Sequence, residues 1–335
     1  MKKVLLTVFV VLLTILLSAI VFILAASYPV PEGAEEIMEE VFASELPNQI
    51  LGDTGYAVSN GVNIWYENIS PAGVPKGTIL LIMGLGGNAL EWPLFFTRPL
   101  VEAGYQVIRF DNRSSGLSTW PEEDFSLNNM AEDAMAVMDA LEIEKAHILG
   151  MSMGGMIGQI MAIEYPERVE TLISFMSSGH TDDPELPTVS RATYLSIMAT
   201  GIRHGIHRTE KNIVRTTVSV RSVLSPDLSE QRIRALAEQS LYNQRYRKGF
   251  NTKAFIQHTR AIRNAGPRYE GLKNLETPTL VIHGKEDPLI PVEHGIKTAQ
   301  VIPNAELLLL EGMGHDVSSE HAPLIHDVIL NFLNQ

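Results

Sequence analysis

Five short, nearly continuous apolar runs, at residues 78–83, 106–110, 147–149, 171–175 and 279–282, constrain the fold of this chain more than any other feature. Helix-like stretches separate most of them. A strand that is apolar on both faces has no side to turn to water, so it belongs in a parallel sheet covered by helices on both sides. Residues 306–310 add a further strand, and an amphipathic helix near 318–333 closes the chain. Upstream, residues 56–58 and 62–66 flank Asn60-Gly61, a pair suited to the positive φ angles of a tight turn. An antiparallel hairpin is therefore expected at one edge of the sheet. The pattern predicts an α/β architecture, doubly wound and mostly parallel.

One stretch breaks the alternation. Residues 180–270 have helical periodicity and no convincing strand, and they fall between two sheet strands. They read as a helical cap over the carboxyl edge of the sheet, where ligands bind in such folds. Most of the basic charge lies there, from Arg191 through Arg221, Arg245, Arg247 and Lys248 to Arg268. Two readings stay open for it: a solvated helical surface, or a face that approaches anionic lipid or an anionic substrate.

The amino-terminal segment differs in kind. After Met1-Lys2-Lys3, residues 4–26 carry only Thr7, Thr14 and Ser18 as polar side chains. As a helix such a segment reaches roughly 34 Å, enough for a hydrocarbon core of about 30 Å. Residues 1–27 are expected to be a single-pass signal anchor; the alternative is a secreted chain cleaved after Ala25-Ala26-Ser27. Lys2 and Lys3 precede the span and five glutamates follow it, so the amino terminus is expected in the cytoplasm and the folded part outside it. Residues 28–50, with Pro29, Pro31, Pro47 and many glutamates, read as a stalk with little packing, followed by a domain at 51–335.

Composition excludes some functions. A net charge of −13 disfavours a nucleic-acid partner, since such binding needs Lys and Arg on phosphates. The absence of cysteine removes disulfides, thiolate nucleophiles and Cys-ligated metal. His204 and His207 have a spacing that could share a metal, but no third ligand is apparent, so no metal site is assigned. No cofactor is expected.

Gly150-Met151-Ser152-Met153-Gly154 matches G-x-S-x-G, after one apolar run and before an apolar helix. There a strand turns sharply into a helix, leaving the serine strained and exposed between two glycines that permit close backbone approach. A serine hydroxyl is a poor nucleophile until a base takes its proton, and the base needs a carboxylate to hold its tautomer. Asp287 follows the run at 279–282, and His315 follows the run at 306–310 in Gly312-Met313-Gly314-His315. The order Ser, acid, His suits this architecture, and all three loops should open at one sheet edge. For the oxyanion, the expected donors are the Met153 N–H and the Leu85 N–H, the latter in Gly84-Leu85-Gly86-Gly87-Asn88 after the first run.

These motifs resemble the α/β-hydrolase superfamily from about residue 55 to the end. The segments 83–88 with Glu91-Trp92, 111–118 and the Gly150 elbow are similar to bacterial serine esterases of the aclacinomycin methylesterase type. In many members the oxyanion loop begins His-Gly, where this chain has Met83-Gly84. The resemblance implies a structural role for 111–118 and an acyl-enzyme mechanism on a small-molecule ester, apolar given Leu85, Met151 and Met153. Lactonase, C–C bond hydrolase and cofactor-free haloperoxidase chemistry remain alternatives on the same fold, as does a non-catalytic binding protein.

Overall fold

The computed structural model describes residues 2–205, 208–225 and 228–335, with side chains from Thr7 onward. In chain order the helices and strands are α1 (Lys2–Ala26), α2 (Ala34–Ala43), β1 (Asp53–Ser59), β2 (Val62–Ile69), β3 (Thr78–Ile82), α3 (Leu94–Glu102), β4 (Gln106–Phe110), α4 (Leu127–Ala140), β5 (Ala146–Met151), α5 (Met153–Glu164) and β6 (Val169–Phe175). There follow α6 (Arg191–Gly205), α7 (Glu210–Leu224), α8 (Glu230–Tyr246), α9 (Thr252–Asn264), α10 (Tyr269–Leu272), β7 (Thr279–Gly284), α11 (Val292–Val301), β8 (Glu306–Leu310) and α12 (Ala322–Leu333).

The eight strands form one sheet in the order β1-β2-β4-β3-β5-β6-β7-β8. β1 and β2 are antiparallel, β2 meets β4 antiparallel, and every later pairing is parallel. The edge hairpin turns at Asn60 and Gly61, whose φ angles of 47° and 79° are those a two-residue turn needs. In β3, Ile79 and Leu81 enter a core with Phe96 and Leu100 of α3 and Ile325 and Ile329 of α12. Leu80 and Ile82 enter the opposite core, with Met130 and Ala134 of α4 and Met156 and Ile157 of α5. Period-two alternation with both faces buried accounts for the unbroken apolar runs. After β3 the chain goes to β4 on one side and then to β5 on the other, so the loops leaving β3 and β5 diverge at the carboxyl edge. Ligands bind at such a divergence in open sheets of this kind.

The expectation of a loosely packed stalk at 28–50 is corrected. Within it α2 buries Ala34, Ile37, Met38 and Val41 against Val214 and Val218 of α7 and Ile233, Leu236 and Leu241 of α8. Their spacing of three and four residues is that of one helix face. The glutamates that suggested a solvated spacer point at the cap: Glu35 accepts both Arg215 donors at 2.8 Å, Glu39 pairs with Lys211, and Glu40 with Arg234 at 2.5 Å.

Further pairs of the same kind engage other basic residues of the cap. Besides those taken by α2, Arg221 and Arg232 pair with Asp316, Arg247 with Asp111, Lys253 with Glu122 and Arg260 with Asp124. Much of this charge therefore fastens the cap to the rest of the fold. Helix α1 ends against α6, and its 20-residue stretch Thr7–Ala26 is long and apolar enough to cross a membrane, with none of it buried in the fold.

Candidate active site

Ser152 sits where β5 turns into α5, with φ 57° and ψ −121°. A serine with positive φ is uncommon and costs on the order of 1–3 kcal/mol, so its neighbours must impose it. They do: its N–H donates to the Phe175 carbonyl at 2.8 Å, and its own carbonyl accepts from Ser177 Oγ at 2.7 Å. The flanking glycines are obligatory for a steric reason. A Cβ on Gly150 would stand 2.1 Å from the Gly154 carbonyl oxygen, and one on Gly154 would stand 2.0 Å from that of Ile82. The elbow is thus wedged against the end of β3.

Asp287 follows β7, and its carboxylate is held from two directions. Oδ1 accepts the Leu289 and Ile290 N–H groups, each at 2.8 Å, and Oδ2 accepts His315 Nδ1–H at 2.6 Å. Burial alone would raise its pKa, but the charge and hydrogen bonds of His315 and His283 outweigh burial and hold it well below the usual carboxylate range. An ionised Asp287 keeps the His315 proton on Nδ1 and leaves Nε2 as the basic nitrogen. His283, at the end of β7, is fully buried and donates from Nε2 to the Ile290 carbonyl at 2.8 Å, with Nε2 3.5 Å from Asp287.

The structure joins Asp287 to His315 directly. Ser152 Oγ makes no hydrogen bond to His315, whose one side-chain partner among the described residues is Asp287. The loop 84–88 lies against the serine, since a Cβ on Gly84 would be 3.1 Å from Ser152 Cβ and 3.5 Å from Oγ. Among the described residues neither Leu85 N–H nor Met153 N–H donates to a protein acceptor. Both are therefore available to an oxyanion. The loop 111–118 braces this arrangement: Asn112 Nδ2 donates to the Met83 carbonyl at 2.9 Å, and Asp111 accepts from Ala89 and Leu117 N–H at 2.9 and 2.7 Å.

Two cap contacts at the site escaped the sequence. His258 of α9, fully buried, accepts the Gly86 N–H at Nδ1 (3.0 Å) and donates from Nε2 to the Arg113 carbonyl (2.9 Å), which fixes its tautomer. Burial pushes its pKa down to about 4, so it stays neutral and keeps an acceptor for the Gly86 N–H in the loop 84–88. Second, Asp316, next to His315, is buried between Arg232 at 2.6 Å and Arg221 at 3.2 Å, while the Leu224 carbonyl at the end of α7 accepts His315 N–H at 2.8 Å. Asp316 was readable only as the residue after a candidate histidine; nothing local marks His258. Of the two histidines to which no metal was assigned, His204 donates from Nε2 to the Tyr28 carbonyl at 3.4 Å, and His207 lies outside the described residues.

Comparisons with known proteins agree with this architecture. The profile of the alpha/beta hydrolase fold matches residues 77–322. Rhodomycin D methylesterase DnrP of Streptomyces peucetius is 30% identical over 295 residues, covering 81% of this chain and 95% of the relative. A 2-hydroxy-6-oxononadienedioate/2-hydroxy-6-oxononatrienedioate hydrolase of Paraburkholderia xenovorans is 29% identical, covering 78% of this chain and 88% of its own. Among solved structures, a membrane phospholipase A described as a bacterial virulence factor superposes with a TM-score of 0.62 at 21% identity, over 100% of this chain and 98% of that one. A strained serine between two obligatory glycines, a buried Asp–His pair and the match over most of the sequence lead to one conclusion: the chain belongs to the α/β-hydrolase family.

Proposed function

We propose that this hydrolase cleaves a carboxylic ester with an apolar acyl or alkoxy group, and that it does so while anchored in a membrane by α1. The observation that carries the chemistry is the 2.6 Å Asp287–His315 hydrogen bond in the loops beside the strained Ser152. Ser152 Oγ attacks the ester carbonyl as His315 Nε2 takes its proton. The tetrahedral oxyanion accepts Leu85 and Met153 N–H, and the alkoxide leaves with the proton from His315. Water, deprotonated by the same nitrogen, then releases the acid and restores the serine.

The apolar preference rests on what surrounds the loop 84–88. Phe250 and Phe255 of the cap are 60% and 42% exposed and lie over Gly86, where a Cβ would meet them at 3.7 and 3.8 Å. Exposed aromatic rings at the rim of a site suit an apolar ligand. The anchor reading rests on the uncovered length of α1 and the lysines at its start, which also orient the catalytic domain away from the cytoplasm.

The relative named as a 2-hydroxy-6-oxononadienedioate/2-hydroxy-6-oxononatrienedioate hydrolase favours a second reading, in which the same triad cleaves a carbon–carbon bond next to a carbonyl. Labelling with a fluorophosphonate, followed by an acyl-chain-length series of esters and a ring-cleavage-type diketone acid, separates the two. Labelling of the wild type but not of Ser152→Ala is expected, with turnover greatest on longer esters. Labelling that persists in Ser152→Ala refutes the nucleophile, and turnover of the diketone acid alone refutes the ester reading.

A further inference from the structure

Cap helix α6 carries an apolar face that the described residues leave largely exposed. Tyr194, Leu195, Met198 and Ile202 are 55%, 43%, 46% and 43% exposed. At about 100° per residue they fall within an arc roughly 100° wide, the stripe that a surface helix normally turns to a core. Yet α6 already has an inward side, where Ala199 and Thr200 are buried. The exposed arc is a second, outward apolar face, and a contiguous patch of this kind marks a contact surface.

The position of α1 indicates what covers it. The end of α1 is pinned to α6: Tyr28 N–H donates to Thr200 Oγ1 at 2.9 Å, and Arg203 donates to Ser27 Oγ at 3.1 Å. Along α1 the large side chains from Val8 to Phe22, including Phe9 and Leu16, and that of Leu24 are themselves exposed. The medium that solvates α1 therefore ends where α6 begins. Tyr28 and Tyr194 supply exposed phenol rings at that level, and Arg191 and Arg203 are exposed on the same helix as the apolar arc. Aromatic rings with flanking cations are the side chains that settle at headgroup depth.

We propose that α6 is a membrane-docking helix whose apolar face lies in the headgroup boundary of the bilayer that holds α1. The inference rests on the reading of α1 as a membrane anchor. It assigns the contact to apolar burial rather than to the basic residues of α7 to α9, many of which are engaged with carboxylates of the fold itself. The cap is thereby laid on the lipid, so an apolar ester reaches the site without crossing bulk water.

The chain has no cysteine, so single-cysteine labelling is clean. Full-length Met198→Cys, Leu16→Cys and Val74→Cys, each carrying an environment-sensitive fluorophore, are placed in nanodiscs of phosphatidylcholine and phosphatidylglycerol with nitroxide lipids. Val74 is 93% exposed in the segment entering β3 at its amino end, away from the cap. Expected is quenching at position 198 by a shallow nitroxide, at 16 by a deep one and at 74 by neither, with position 198 unaffected by salt. Quenching at 16 without quenching at 198 overturns the docking of α6 and leaves the anchor standing. No quenching at 16 overturns the anchor and the inference with it. In the paired variant Leu195→Glu/Met198→Glu, turnover of a bilayer-embedded ester should fall while turnover of a water-soluble short-chain ester is kept; equal loss, or none, on both refutes a lipid-facing role.

Discussion

Replacing His258 by Asn tests how the cap supports the oxyanion loop, because it separates the hydrogen bond from the titration. Asn Oδ1 can stand where Nδ1 stands and accept the Gly86 N–H, but it cannot take a proton. In the wild type, burial lowers the His258 pKa from 6.5 to about 4. The folded state thus favours the neutral ring, while the unfolded chain protonates near 6.5. The contribution is fully present above the unfolded value and is lost as pH falls from about 6.5 towards 4, below which it changes no further. A shift of about 2.5 units at 1.36 kcal/mol each corresponds to roughly 3 kcal/mol in all, of which about 2 kcal/mol is gone at pH 5. The measurement is the urea unfolding midpoint of the full chain in detergent micelles between pH 4.5 and 7.5, for wild type and His258→Asn. Burial also holds His147 and His326 below their ordinary values, but they act equally in both proteins. The two curves should therefore converge as pH falls, with the variant losing less stability. Parallel curves would refute the argument. Steady-state kinetics add a second readout: His258→Leu, which leaves Gly86 N–H without an acceptor, should lower kcat more than it changes KM, and His258→Asn should recover much of it.

Three further outcomes follow from packing and charge. Met38→Ala empties a fully buried site between α2 and the cap, so unfolding should show a loss of about 2–5 kcal/mol, whereas a solvated stalk would show almost none. Asp316→Asn leaves buried Arg232 without its carboxylate partner; a loss of about 3–5 kcal/mol is expected, together with a drop in kcat as the His315 loop loosens, and unchanged stability would refute the clamp. Gly154→Ala forces a Cβ to 2.0 Å from the Ile82 carbonyl, so fluorophosphonate labelling should disappear even though Ser152 is retained.

The cap emerges as a second support of the site rather than a passive cover. His258 reaches the loop 84–88 from α9, and Arg221 and Arg232 grip Asp316 from α7 and α8. Helix α2 holds α7 and α8 from the outside through Met38 and the Glu35–Arg215 pair. A displacement of the amino-terminal segment would therefore be felt at the loops that carry His315 and Gly86 through packed and charged contacts.

What the sequence by itself determined was everything that depends on near neighbours. The period-two apolar runs dictated strands buried on both faces, Asn60-Gly61 dictated the hairpin, and the glycines at 150 and 154 dictated the strained turn at Ser152, because each effect acts within a few residues of chain. The positions of Asp287 and His315 were legible from their places after successive strands, and the structure joins them by a hydrogen bond. Tertiary structure alone decided the rest. The apolar face of α2 was hidden among glutamates, whose charge suggested solvent until the arginines of a cap 180 residues away supplied their partners. His258 lies 172 residues from the Gly86 N–H that it accepts, and Asp316 lies 84 residues from Arg232. A polar side chain becomes a buried partner only when folding removes its water and brings up a complementary group, and no local pattern records which distant group that will be.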